Sequence, residues 1–364
     1  MTDLFWPGDE RAGAHFTAED FVGAMLAVEE DWLGQGLALL VDAERLALDA
    51  EAGGNPVIPL VRLVREHAPE AHWGLTSQDV VDSALMRMSE AAVGSLLADL
   101  RSVIRRLADL AAAHRDTPMV ARTLTQHAVP TTFGFRVAAW LTAVLDVEAQ
   151  LDDLDFPDQL GGAAGTRAAM VELGVDVPAG VPRWHTTRAS VTRLGDALVG
   201  CTDACARIAN DVVTMSRPEI GELSEGTGGG SSTMPGKANP VLSVLVRRAA
   251  ITTPQLAATL HLAAAKQVDD RADGGWHAEW ATLRDLVRRT LTAASQTVDL
   301  LSGLVVHTER MAATLATAGD TVLAEQRAMA AAAGHEPAAS YLGDAVAYVD
   351  AVVAHARELL EEER

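Results

Sequence analysis

An all-α fold is what this sequence predicts, and three observations carry that expectation. Alanine and leucine dominate a 364-residue chain that is 49% hydrophobic, and both are strong helix formers. Aromatic residues, which strands favour, make up only 4%. Apolar residues recur at three- and four-residue spacing over stretches long enough for many helical turns, with few breakers between them. A chain of this size buries a large core and is expected to form more than one domain.

The elements follow in order. Residues 18–52 carry a helical pattern through Phe21, Met25, Val28, Trp32, Leu39 and Leu46, stopped by Gly53-Gly54-Asn55-Pro56. A short helix over Leu60–His67 follows Pro59. The segment His72–Asp79, HWGLTSQD, then sets polar residues ahead of an apolar run from Val80. Thr76 or Ser77 can cap that helix, and the N–H groups at its start can bind an anion, so Thr76, Ser77 and Gln78 are candidate substrate contacts. His72 is a weaker one.

Helical spacing continues to about His114, and Ala121–Gly134, ARTLTQHAVPTTFG, breaks it. This break gathers Arg122, Thr123, Gln126 and His127, and Pro130 is expected to open the next helix, to about Asp155. The glycine-rich joint Gln159–Gly165, QLGGAAG, suits close approach of backbone to a ligand. Long helices are expected over about 188–216, 240–266 and 276–307, with Glu361–Arg364 as a solvated tail. Helices of this length side by side form an extended bundle. They also expose apolar stripes that one copy cannot cover, so a homo-oligomer is expected.

A formal net charge of −21 argues against nucleic acid or an anionic membrane as partner. Any enzyme of anionic substrates with this charge needs a local cationic pocket. The only cysteines, Cys201 and Cys205, stand at i, i+4 and read as small core residues in a reducing compartment. The N-terminal stretch lacks a basic region followed by an apolar run. No uninterrupted apolar run is long enough to span a bilayer. A cytoplasmic protein is expected. No metal-ligand spacing or phosphate loop occurs, so no metal or organic cofactor is expected.

The most informative stretch is Gly228–Pro240, GGGSSTMPGKANP. Glycines let a backbone take positive φ, and a Gly/Ser run without apolar side chains cannot pack, so it reads as a mobile loop. Lys237 is one of only two lysines in a chain that otherwise uses arginine, which suggests that a compact point charge is needed there.

This stretch resembles the GSSxMPxKxNP signature of the fumarase/aspartase superfamily. TSQDVVDSA (Thr76–Ala84) is similar to that superfamily's first signature region and ARTLTQHAVPTTFG to its second. The resemblance covers most of the chain. It implies an elongated helical bundle with a smaller N-terminal helical domain (1–90), a central long-helix bundle (91–318) and a reduced C-terminal segment (319–364). It also implies a homotetramer whose active sites form where signature regions of three chains meet. Ser231 would be the base on a loop that closes over substrate, with Lys237 beside it. Asn239, Ser232, Thr76, Ser77, Gln78, Thr123 and Gln126 would hold carboxylates of a small di- or tricarboxylate, and Arg122 and His127 would add positive or polarisable donors. A serine acts as base only where fixed positive charge and N–H dipoles stabilise its alkoxide. The same charge stabilises the aci-carboxylate formed when a proton leaves the carbon beside a carboxylate.

Within the superfamily, HWGLTSQDVVDSAL, GGNPVIPLVRLV, QLGGAAGT and GGWHAEW look like the bacterial 3-carboxy-cis,cis-muconate cycloisomerases, and TSQDVVDSAL and PTTFG also like adenylosuccinate lyases. Two departures discriminate. Fumarases, aspartases and adenylosuccinate lyases place a His after the Thr of the second region, where this chain has Leu124. Fumarases and aspartases pair that His with a Glu, where this chain has Val244. Such a pair protonates a leaving group, and losing both avoids one buried unpaired member. Lactonisation, whose reverse expels a carboxylate, needs little such protonation, so a cycloisomerase is expected. A third departure, Gly236 and Ala238 in place of the usual His and Arg, leaves open what holds a third carboxylate. The alternatives are a lyase releasing fumarate from a nitro-, adenylo- or arginino-type succinate, and a non-catalytic bundle.

Overall fold

The computed structural model describes residues 3–178, 180–226, 229–230, 233–234, 236–271 and 273–362. Helices dominate. In chain order they are α1 (Ala18–Leu33), α2 (Ala43–Ala50), α3 (Val57–Arg65) and α4 (Ser77–Ala113). Strands β1 (Pro118–Thr123) and β2 (Gln126–Thr132) precede α5 (Phe133–Asp152), α6 (Ala168–Glu172) and α7 (Ala189–Met215). Strand β3 (Leu223–Glu225), α8 (Val241–Ala265), α9 (Gly274–Gly303) and strand β4 (Leu304–Val306) lead into α10 (Thr308–Ala318), α11 (Ala324–Ala333) and α12 (Ala345–Glu362). The strands form two antiparallel pairs, β1 with β2 and β3 with β4. Among the described residues no helix is long and apolar enough to cross a membrane.

The chain forms two compact units. One comprises Met1–Leu96, Asp153–Val199 and Thr252–Thr292, the other Leu97–Asp152, Gly200–Ile251 and Ala293–Arg364. The long helices α4, α7, α8 and α9 each give residues to both.

In the first unit, the expected helix over 18–52 is two helices. Gly34 ends α1 at φ 69°, a left-handed conformation glycine adopts without a Cβ clash. Its N–H and that of Gln35 return to the carbonyls of Asp31 and Glu30. The chain restarts as a helix at Asp42, whose carboxylate accepts the Arg45 N–H at 3.1 Å. Helix α3 begins three residues earlier than expected. Pro59 lies within its first turn, where a missing N–H costs nothing, and Asn55 Oδ1 accepts the Val57 N–H at 3.1 Å. The unit's centre holds a fully buried ion network. Arg188 donates to both carboxylate oxygens of Asp82 at 2.8 and 3.0 Å and to Glu279, while Trp276 Nε1 donates to Asp82 at 2.9 Å. Burial raises the Glu279 carboxyl above its ordinary pKa, against the pull of Arg188.

In the second unit, Pro130 does not open a helix. It lies in β2 opposite Val120; the helix starts at Phe133, and Thr132 Oγ1 caps it by accepting the Phe135 N–H at 3.1 Å. A proline can sit in a two-stranded ribbon because an edge position needs no N–H. Phe133 packs edge-on against both His114 (5.3 Å) and Trp140 (5.9 Å). The helix expected over 276–307 stops at Gly303, because Leu304–Val306 leave it to pair with β3. Helix α12 continues through Glu362 and docks on α5, with Tyr348 bonded to Thr142 at 2.7 Å, and its Asp350 takes Arg115 at 2.7 Å. Glu361 and Glu362 are thus helical and exposed rather than a tail.

Candidate active site

The first signature region starts α4 in the first unit. Thr76 precedes the helix and is buried, Ser77 is half-buried, and Asp79 reaches back to accept the Thr76 N–H at 3.0 Å. This is a capping-box arrangement built with Asp. Asp79, fully buried, also accepts the N–H groups of Gly161 and Gly162 at 2.9 Å each and His185 Nε2 at 2.9 Å. The glycine joint therefore approaches Asp79 closely. A Cβ on Gly161 would collide with the His185 ring, lying 2.9 Å from Nδ1. Gln78 is fully buried, and its Nε2 donates to the His185 carbonyl at 2.8 Å. The Gln78 Oε1 is buried without a hydrogen-bond partner among the described residues. His72 takes a positive φ of 66° and bonds the buried Glu29 at 2.6 Å.

The second region is the β1–β2 hairpin of the second unit, a strand pair where a loop was expected. Arg122 pairs with His127 and Thr123 with Gln126 in register, around a two-residue turn of Leu124 and Thr125. Both turn residues have positive φ, 48° and 69°, the type I′ geometry that suits the right-handed twist of a tight hairpin. Thr123, Gln126 and His127 are exposed. Arg122 is not: its two terminal nitrogens go to the fully buried carboxylate of Glu222 at 2.9 and 2.7 Å. A guanidinium engaged by both terminal nitrogens in this way is a fixed strut for the hairpin.

The third region follows β3. Ser231 and Ser232 lie outside the described residues. The ends of the loop are joined by a two-bond bridge, Gly229 N–H to Asn239 O at 2.9 Å and Asn239 N–H to Gly229 O at 2.8 Å. Lys237 is exposed and Asn239 half-buried, and neither side chain has a hydrogen bond or ion pair among the described residues. The start of α8 is already occupied: Glu225 accepts the N–H of Leu242 at 3.1 Å, that of Ser243 at 2.8 Å and the Ser243 hydroxyl at 2.6 Å.

Leu124 is 96% exposed and Val244 52% exposed. Within one chain neither position is buried, so the cost of a buried orphan does not by itself explain why both are aliphatic. Among the described residues no cluster of three or more His, Cys, Asp or Glu is arranged to hold a metal.

Sequence reasoning missed Glu222, Glu225 and His185. A signal existed for Glu225. Helix α8 begins after Pro240 with no Ser, Thr, Asp or Asn immediately before it to accept its first N–H groups, which leaves them to water or to an acceptor from elsewhere in the chain. In a chain with 50 acidic residues, nothing singles out Glu222.

A family model described as a lyase matches residues 10–253. The 3-carboxy-cis,cis-muconate cycloisomerase of Bradyrhizobium diazoefficiens is 38% identical over 312 residues, 79% of this chain and 69% of that one. Nitrosuccinate lyase of Streptomyces davaonensis is also 38% identical, over 318 residues, 79% of this chain and 67% of that one. The crystal structure of the 3-carboxy-cis,cis-muconate lactonizing enzyme from Pseudomonas putida matches with a TM-score of 0.78 at 28% identity, covering 94% of each chain.

Proposed function

The chain belongs to the lyase family of the fumarase/aspartase superfamily, and from that premise we propose that this enzyme is a 3-carboxy-cis,cis-muconate cycloisomerase. The observation that supports this most is the 38% identity over 312 residues to a cycloisomerase of that name. In the reaction, a substrate carboxylate oxygen bonds to one carbon of a C=C, and the other carbon, α to a carboxylate, takes a proton. Ser231 gives that proton; in reverse its alkoxide removes it, stabilised by Lys237. Asn239, Ser232, Thr76, Ser77, Thr123 and Gln126 hold the carboxylates. His127 adds a donor, while Arg122 and Gln78 keep their motifs in place. The exposed ammonium of Lys237 supports the reading that a local positive charge offsets the −21 of the whole chain.

We also infer a cytoplasmic homotetramer with sites completed between copies. Exposed apolar side chains on α8, Val244 at 52% and Ile251 at 69%, support assembly, and the free buried cysteines suit a reducing compartment. The linear division into 1–90, 91–318 and 319–364 stands as a proposal about its folding units.

One observation favours a second reading. Nitrosuccinate lyase is as similar as the cycloisomerase, and nitrite leaves without an acid, so Leu124 and Val244 fit that elimination equally. Incubation with 3-carboxy-cis,cis-muconate and with nitrosuccinate separates the two. Loss of diene absorbance with the first supports the cycloisomerase; fumarate from the second alone replaces it with the lyase.

A further inference from the structure

Strand β3 is three residues long, and buried carboxylates stand immediately before it and at its end. Glu222 is fully buried and Glu225 is 8% exposed. An odd separation along an extended chain sends side chains to opposite faces. Glu222 accordingly takes Arg122 of the hairpin, and Glu225 takes the first turn of α8.

The strand itself is anchored. It pairs with β4 from Leu223↔Val306 to Glu225↔Leu304. The His307 N–H donates to the Glu222 carbonyl at 3.0 Å, and the Gly226 N–H donates to Gly303 O at 2.7 Å. Glu225 therefore belongs to a fixed element, while the groups it accepts lie on the far side of the third signature region. Residues 226–241 leave from Glu225 and return to N–H groups that Glu225 holds. The Gly229–Asn239 bridge closes the same segment a second time, further in.

We propose that Glu225 is a positioning residue for the reaction: it fastens both ends of the 226–241 segment to β3 and so fixes where Lys237 and Asn239 stand. This rests on the reading that these two side chains serve the substrate. Glu225 touches no substrate itself. It acts through the backbone of Leu242 and Ser243, and its carboxylate supplies the acceptor and the negative charge that a helix start favours.

The test uses the full-length protein and its Glu225→Ala and Glu225→Gln variants. The first measurement is trypsin cleavage after Lys237 under native conditions, with fragments identified by mass. Loss of a helix cap and of one of two loop closures is expected to speed that cut about tenfold in Glu225→Ala. The Gln variant keeps one oxygen acceptor and turns its amide NH2 toward the other N–H, so its rate should fall between those of the parent and the Ala variant. The second measurement is steady-state kinetics on whichever of 3-carboxy-cis,cis-muconate or nitrosuccinate the parent turns over. Misplacing Lys237 should lower kcat about tenfold in the Ala variant and move KM less than about threefold, with part of the loss rescued by Gln. Should Glu225→Ala open sites throughout the chain, Ser243→Ala decides. It removes only the hydroxyl donor and should raise cleavage at Lys237 alone. Unchanged cutting after Lys237 in these variants overturns the proposal, as does a kcat no higher in Glu225→Gln than in Glu225→Ala. Failure of the parent on both substrates would instead sink the functional reading, and the tryptic result would still decide the role of Glu225.

Discussion

Arg122 and Glu222, 100 residues apart in sequence, meet end-on in a bidentate pair, with Nη1 2.9 Å from Oε2 and Nη2 2.7 Å from Oε1. The carboxylate is fully buried and the guanidinium side chain 18% exposed. Removing one partner leaves a charge that water cannot reach, and such orphaning costs about 3–5 kcal/mol. Arg122→Ala should lose that much in urea unfolding. Arg122→Lys keeps the charge but not the planar fork and should fall between the two. Arg122→Met with Glu222→Leu removes both charges and should recover most of the loss. A double variant no more stable than Arg122→Ala would show that the pair is favourable in itself.

The helices were legible because their signal is local: apolar spacing marked α4, α7, α8 and α9 to within a few residues. What stayed hidden was decided by distant partners. Leu304–Val306 continue an apolar pattern that suits a helix, and only the edge of β3 makes them a strand. Pro130 resembles a helix opener until Val120 lies opposite it. The same holds for the site. The signature loop and the hairpin's polar residues could be read directly. The acids that hold them, Glu222 and Glu225, look like any others in a strongly acidic chain. Arg122 and Gln78, candidate contacts in the sequence, also bond Glu222 and the His185 carbonyl, partners that no local pattern marks.

The hairpin turn carries removable strain. Leu124 and Thr125 hold φ of 48° and 69°, where each L-residue with a Cβ loses roughly 1 kcal/mol or more relative to glycine. Asn and Gly are the residues this turn type favours. Leu124→Asn with Thr125→Gly should therefore raise stability by about 1 kcal/mol, read as a higher midpoint in urea at unchanged slope. A lower midpoint would mean that the exposed leucine is covered in the assembled protein.

Gly161 reports on the junction beneath the first signature region. A methyl there would lie 2.9 Å from His185 Nδ1 and closer still to the ring carbon beside it, so the imidazole must leave Asp79. Asp79 would then be buried with one acceptor site unfilled. Gly161→Ala should cost about 2–4 kcal/mol, combining overpacking with a broken charged hydrogen bond. His185→Ala makes room for the methyl, so its effect and that of Gly161→Ala should be clearly less than additive. Full additivity in the double variant would rule out the ring as the obstacle.

His114 sets a pH dependence. Its ring packs against Phe133 at 5.3 Å and its Nδ1 meets Thr117 Oγ1 at 3.1 Å. Burial lowers its pKa from the ordinary 6.5. In the folded protein the neutral ring is favoured, so below pH 6.5 the unfolded chain takes up a proton that the folded chain resists. The stability this group supplies is fully present above pH 6.5 and is lost as pH falls from there through the folded-state value. One proton sets a ceiling of about 1.4 kcal/mol per pH unit on the slope. His114→Gln cannot titrate and can still hydrogen-bond Thr117. Between pH 7.5 and 5.5, urea midpoints of the parent should fall more steeply than those of the variant. Parallel profiles would mean that the ring takes up its proton in the fold as readily as in the unfolded chain.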